Sequence, residues 1–369
     1  MKPYIYLRAL KHVDHTVFCV SNGQKKYFDL QFERFSAYSS GQQVKRSILQ
    51  EVTDFLGVQM APITFNYEID AQKQLKNKEP WSPCDPNYVD QLLGGWMRAM
   101  KDNPTKGKKK EDTEADSNKK DKSVIKRRSP LSISAMRPLH PLLAGVDNEN
   151  WTFDRSDRPE QHPINVRLGD KLLSEEEIAK FLNENNRTLP RRNWIPENER
   201  TTGLFIYDVA IDLRTLFCVS INQHEPEITV EMIDNLKKKG WKESENIFGK
   251  CLVLPKEQRE KIIPALAKAL LNWRITSNQA RTFSLMETLA IAISDNANTL
   301  ASAIRAKLQD DTDKPKAKPV VDAMVGADVF VTLPCAGYVQ TELETSDAMQ
   351  KAEEKLIELL SAFDYEHQL

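Results

Sequence analysis

Apolar and polar residues alternate from the start of this chain, and Tyr4-Ile5-Tyr6-Leu7-Arg8-Ala9-Leu10 has the period of a β-strand. Thr16-Val17-Phe18-Cys19-Val20, Ser21-Asn22-Gly23 and Lys26-Tyr27-Phe28 then predict a hairpin closed by an Asn-Gly turn. Val44, Ile48 and Val52 repeat at helical spacing and predict a helix that ends near Phe55. A second strand is expected over 63–69, followed by a proline-rich patch at Pro80, Pro83 and Pro86 and a short helix around 92–100. Residues 101–129 hold almost no apolar side chains, so a loop that cannot offset its own ordering entropy is expected there. After a short strand before Pro138, the stretch 138–200 reads as loop-rich with one helix over 174–183, opened by the capping box Ser174-Glu175-Glu176-Glu177. Strands are expected over 202–213 and 216–221, and helices over 229–239, 256–272 and 285–308. A Lys-Pro linker over 314–319, a strand over 328–333 and an amphipathic helix over 346–363 complete the pattern. Strands interleaved with helices and hairpins point to an α+β fold built on a small antiparallel sheet, with no internal repeat.

Composition narrows the class. With 369 residues, 40% hydrophobic and 28% charged, the chain fits one large globular domain with an insertion or two modest domains. No apolar run is long enough to span a bilayer, and Met1-Lys2-Pro3-Tyr4-Ile5 lacks the basic-then-apolar layout of a signal peptide. A cytoplasmic protein with no membrane partner is therefore expected. The five cysteines stand singly, without a CxxC pair, and are expected as buried thiols rather than zinc ligands or a redox couple. A net charge of −1 at first argues against a nucleic-acid binder, yet acidic residues crowd into a few helical stretches and leave basic residues to gather elsewhere.

The segment that changes this picture is Ser39-Ser40-Gly41-Gln42-Gln43-Val44-Lys45-Arg46-Ser47. Small polar residues ahead of a first helical turn leave backbone N–H groups pointing outward, where the helix dipole favours an anion, and Lys45 and Arg46 add full positive charge. A capped helix with two solvated bases explains the same letters. A second polar and basic segment, Asn272-Trp273-Arg274-Ile275-Thr276-Ser277-Asn278-Gln279-Ala280-Arg281-Thr282, carries residue types that contact phosphates and sugars, with Trp273 placed either to stack on a base or to sit in the core. Met136-Arg137-Pro138, followed by His140, is a third candidate contact. Phosphate-binding, dinucleotide-binding and zincin motifs are all lacking. His12 and His15 lie three apart on non-helical backbone, a poor metal pair, so neither metal nor cofactor is expected. Asp208 and Asp212 share one face of a strand beside Arg214, where ion pairing is the ordinary outcome.

An early strand, a hairpin, Arg34-Phe35-Ser36 and then Ser39-Ser40-Gly41-Gln42-Gln43-Val44-Lys45-Arg46 together resemble the backbone subunit of class 1 CRISPR effector complexes, the Cas-seven or DevR-type family of the RAMP superfamily. The segment Gly203-Leu204-Phe205-Ile206-Tyr207-Asp208-Val209-Ala210-Ile211-Asp212-Leu213 is similar to the mid-chain strand of those subunits. The resemblance covers about the first seventy residues and 200–300, and is lost over 101–129. It implies an RRM-like (ferredoxin-like) palm with an antiparallel sheet, an inserted finger region and a thumb hairpin. The first part of the palm would occupy 1–70, the finger-like insertion 71–200, and the rest of the palm, the thumb and the C-terminal helices 201–369. It further implies a Cascade-type antiviral ribonucleoprotein in which adjacent copies stack along a guide RNA (crRNA) beside other Cascade subunits and support guide–target pairing, the target expected to be DNA rather than RNA. By motif, Arg34, Ser39, Ser40, Gln42, Gln43, Lys45 and Arg46 would hold guide phosphates, joined by Met136 and Arg137 and by Arg274, Ser277, Asn278 and Arg281. Some relatives cleave target RNA with an Asp shortly before this helix, so Asp29 is the nuclease candidate of an alternative, type III-like reading. The chain lacks the glycine-rich form usual in those enzymes, and a non-catalytic subunit is expected.

Overall fold

The computed structural model describes residues 2–18, 24–99, 124–154, 162–190, 192–275, 283–310 and 315–369. The chain opens with β1 (Tyr4–Thr16), a small hairpin of β2 (Lys26–Asp29) and β3 (Arg34–Ala37), and helix α1 (Gly41–Leu56). A second hairpin, β4 (Thr64–Ile69) with β5 (Leu75–Trp81), precedes α2 (Val89–Gly94) and the paired strands β6 (Trp96–Ala99) and β7 (Val124–Arg127). Then follow β8 (Leu131–Ile133), β9 (Arg137–Pro138), β10 (Ala144–Asp154), the two-residue strands β11 (Arg167–Leu168) and β12 (Lys171–Leu172), α3 (Glu175–Glu184) and the long β13 (Arg192–Asp212). A turn of helix, α4 (Leu213–Leu216), leads to β14 (Cys218–Ser220), α5 (Val230–Lys238), β15 (Lys242–Asn246), β16 (Gly249–Val253) and α6 (Lys256–Asn272). The last part holds β17 (Glu287–Ser294), α7 (Ala297–Ala303), β18 (Ile304–Asp310), β19 (Lys316–Val321), β20 (Asp328–Thr332), β21 (Glu344–Thr345) and α8 (Ala348–Ser361).

The main sheet runs β10-β13-β1-β17-β20-β21, with β8 and β9 also pairing on β13. Its ladders are antiparallel except for the parallel β20–β21 contact, so the sheet is mixed where an antiparallel one was expected. Strand alternation decides its two faces. Ile5, Leu7, Ala9 and Val13 of β1, with Phe205, Tyr207, Val209 and Ile211 of β13, bury against α1, α6 and α8 in one core. Leu10, Leu204, Ile206, Ala290 and Ala292 point the other way and pack with Leu300, Ala303 and Ile304 in a second, smaller core. The helix α1 turns Val44, Ile48 and Val52 toward the first core, as its periodicity requires, and α3 begins at the expected capping box of Ser174 and Glu177.

Several elements depart from the sequence reading, most of them for a tertiary reason. Residues 285–308 are not one helix but β17, α7 and β18. The run Leu289–Ile293 is apolar on both sides because β17 lies between β1 and β20 with both faces covered, and a doubly buried strand loses the alternation that would mark it. The expected linker over 314–319 forms β19 from Lys316 onward, paired with β18. Lys26–Asp29 pairs forward with Arg34–Ala37, while β1 runs on in the main sheet to Thr16; the Asn22-Gly23 turn lies outside the described residues. The expected 101–129 loop is described only from 124, where β7 buries Ile125 and Arg127. At 92–100 the helix ends at Gly94, because Gly95 has a φ of 73° and an added Cβ would sit 2.6 Å from the Arg127 carbonyl oxygen. Cys84, Cys218, Cys251 and Cys335 are buried thiols, as expected.

Candidate nucleic-acid interface

The start of α1 is built by its own sequence and by one distant segment. Ser40 is extended (φ −64°, ψ 148°) and its hydroxyl accepts from the Gln43 amide at 3.4 Å as the N-cap. The preceding Ser39 is fully buried and exchanges two backbone hydrogen bonds with Met136, its amide donating at 2.9 Å and its carbonyl accepting at 3.0 Å. Its hydroxyl donates to Gln43 Oε1 at 3.2 Å. Gly41 then passes so close to the chain after β8 that a Cβ would lie 2.7 Å from the Ile133 carbonyl oxygen. Only glycine allows this approach. Two segments that the sequence presents ninety residues apart, 39–46 and 133–137, therefore form one surface. Met136 supplies backbone only, since its side chain is completely buried.

The basic residues differ in what they are free to do. Gln42 and Arg46 are exposed on the first turns of α1. Arg34, half-buried on β3, donates Nη2 to the Ala144 carbonyl at 3.3 Å while its buried Nε has no partner. Lys45 turns the other way: Nζ donates to the Gly94 carbonyl at 2.6 Å and so closes the C-terminal end of α2. Burial, then the nearby Arg127, pulls its pKa down to about 8. Arg137 donates to Asp208 Oδ2 at 3.2 Å, and the same carboxylate receives Arg8 Nε at 2.6 Å and Nη2 at 3.1 Å. One carboxylate thus fixes two guanidinium groups on the face of the sheet away from α1. A pocket of about 380 Å³ opens beside them, lined by Tyr6, Arg8, Ser132, Ser134, Asp208 and Leu300.

Asp29 has a local structural task. Its Oδ1 accepts from the Gln31 amide at 3.1 Å and the Phe32 amide at 2.9 Å, the Asx-type turn that closes the β2–β3 hairpin. His140 packs against Phe32 with ring centroids 4.7 Å apart and accepts the Leu142 amide at Nδ1; burial lowers its pKa, with Asp29 opposing. Among the described residues no group of three or more His, Cys, Asp or Glu is placed to hold a metal, and His12 instead stacks on Tyr338 at 4.1 Å. Asp212 is ion-paired to Arg214 at 2.8 Å, as its neighbourhood suggested.

The second polar segment is a different object. Trp273 is fully buried, edge-on to Tyr207 with centroids 4.9 Å apart, and is unable to stack on a base. Arg274 is exposed and donates Nε to the Leu285 carbonyl at 3.0 Å. Ser277, Asn278 and Arg281 lie outside the described residues. The Arg8–Asp208–Arg137 cluster escaped sequence reasoning because its members are up to 200 positions apart; the one local sign was an arginine on the polar side of an alternating strand.

No protein-family model matches this sequence, and no curated protein does. Among solved structures, a chain of a "CRISPR RNA-guided surveillance complex, pre-nicking" is similar over 96% of this chain and 89% of its own, with a TM-score of 0.41 and 10% identity. A chain of a "CRISPR RNA-guided surveillance complex" is similar over 96% and 84%, with a TM-score of 0.36 and 11% identity. Among the described residues no helix is long and apolar enough to cross a membrane.

Proposed function

We propose that this chain is a guide-RNA-binding backbone subunit of a Cascade-type surveillance complex, stacking with copies of itself along the crRNA and with other subunits, and supporting pairing to a DNA target without cleaving it. The observation that carries the reading is the joining of 39–46 to 133–137, which ties a helix start carrying Ser40, Gln42 and Arg46, with Arg34 on the strand before it, to the segment whose Arg137 lies on the other face of the sheet. Those groups suit phosphates, which fits a protein that leaves sequence recognition to guide–target pairing. The order β8-β13-β1-β17, threaded as β1, α1, β8, β13, α6, β17 with α1 packed beside α6, supports an RRM-like palm. The turn-closing bonds of Asp29 favour a structural role over a nucleolytic one.

The test uses Arg46→Ala with Arg137→Ala, leaving Lys45 in place because it braces α2. Binding of a guide-like single-stranded RNA should weaken for all sequences alike, and the slope of log K against log salt should shrink by about 0.7 for each phosphate left without its arginine. An unchanged slope would remove this site from the reading. Metal-dependent cleavage of RNA that Asp29→Ala abolishes would overturn the non-catalytic part.

A further inference from the structure

The β2–β3 hairpin stands immediately before the α1 motif and shows an unusual amount of aromatic surface. Phe28 and Phe35 are direct cross-strand partners, 46% and 51% exposed, with ring centroids 5.2 Å apart at 66°. Alternation puts Lys26 on the same face, and its ammonium lies 4.9 Å from the centre of the Phe35 ring while pairing with Glu199 of β13. The opposite face of the hairpin carries Asp29, Arg34 and the buried Ser36, and Arg34 ties it to the body through the Ala144 carbonyl. The hairpin is thereby tied to the body from both faces, by Arg34 and by Lys26, while the two phenylalanine rings stay about half exposed. Two exposed phenylalanines on a fixed strand pair cost solubility and contribute nothing to either core.

We propose that Phe28 and Phe35 form a stacking platform for an unpaired base of the RNA whose phosphates are held at the start of α1. This rests on the guide-RNA reading above and adds a base contact to a site otherwise limited to phosphates. Aromatic faces accept any base, so such a platform adds affinity without sequence preference. Lys25, next to the hairpin in the chain, is exposed, and the hairpin runs directly into Ser39 and Ser40, so the platform adjoins the phosphate site along the chain. The β4–β5 hairpin shows the contrast. Its exposed Phe65, Tyr67, Ile69 and Leu75 include aliphatic groups, and its Lys76 and Lys78 are paired with its own Asp70 and Glu68.

The experiment uses the full chain, a single-stranded RNA carrying 2-aminopurine at successive positions, and the double variant Phe28→Ala with Phe35→Ala. Wild type should quench the probe, and the double variant should relieve the quenching and weaken binding about 5- to 100-fold with an unchanged salt slope. Phe35→Trp should keep the affinity and have its introduced indole emission quenched by RNA, a readout that does not depend on the double variant folding. Equal quenching and affinity in wild type and the double variant overturn the platform and leave the phosphate site standing. So does a variant that changes only self-association in sedimentation, which would mark a protein contact. A wild-type chain that binds no RNA overturns both readings.

Discussion

Two segments of this protein look alike in sequence, each polar, basic and next to a helix, yet the fold uses them in opposite ways. In 39–46 the small polar residues are the contact itself: Ser39 bridges to Met136, Gly41 lets β8 approach, and Gln42 and Arg46 remain exposed. In 272–275 the polar letters accompany a core residue. Trp273 continues the buried stripe of Leu266 and Leu270 on α6, and exposed Arg274 donates Nε to the Leu285 carbonyl. The lesson is that an aromatic between arginines is read by its helical phase first: an aromatic in phase with an apolar stripe belongs to the core.

The sharpest way to break this comparison is Trp273→Ala. Removing a fully buried indole should cost about 3–5 kcal/mol in denaturant unfolding, since it takes packing from both Tyr207 and Lys11. The RNA affinity of the folded fraction should keep its wild-type salt slope. A variant of wild-type stability with weakened RNA binding would restore Trp273 as a stacking residue and make the two segments equivalent.

How far each segment was legible follows from where its partners lie. The helix after a cap at Ser39 or Ser40 and the box at Ser174 and Glu177 depend on residues within four positions, so the letters show them, while Ser39's bonds to Met136 leave Ser40 as the cap. The β17 strand reads as helix in the letters because its apolar run gains meaning only from β1 and β20 on either side. Lys45 and Arg46 are adjacent bases of equal promise in sequence, but Gly94, distant in the chain, withdraws Lys45. The cluster of Arg8, Asp208 and Arg137 needs three strands to meet, and its one local sign was an arginine on an alternating strand.

Lys11, beneath the second segment, gives a smaller and pH-dependent test. It is 1% exposed, donates to the Met286 carbonyl at 3.2 Å and Thr288 Oγ1 at 3.0 Å, and lies 5.3 Å from the Trp273 ring. Burial, then Arg274, lowers its pKa from 10.5 to about 7, with Glu51 opposing. Between those values the unfolded chain keeps a proton that the folded chain has released, so stability should rise with pH, by at most about 1.4 kcal/mol per unit. Below pH 7 both states are protonated and the full cost of the buried ammonium remains. Lys11→Met should remove this rise in unfolding curves taken from pH 7 to 10. A rise of the same size in the variant would assign it to another group and leave the second segment without its buried charge.

The smallest effect separates capping from ligand contact at the first segment. Ser40→Ala should cost about 1 kcal/mol, because the Gln43 amide loses its hydroxyl acceptor, whereas Ser40→Gly should cost only a few tenths, since glycine is tolerated at this position. Both remove the same hydroxyl from any RNA phosphate it would contact. If Ser40 serves both purposes, the two variants should lose similar RNA affinity, about 2- to 10-fold for one hydrogen bond, despite their unequal stabilities. If affinity instead tracks stability, Ser40 acts only as the cap. The proposed RNA contact at this helix start would then rest on the backbone amides, Gln42 and Arg46.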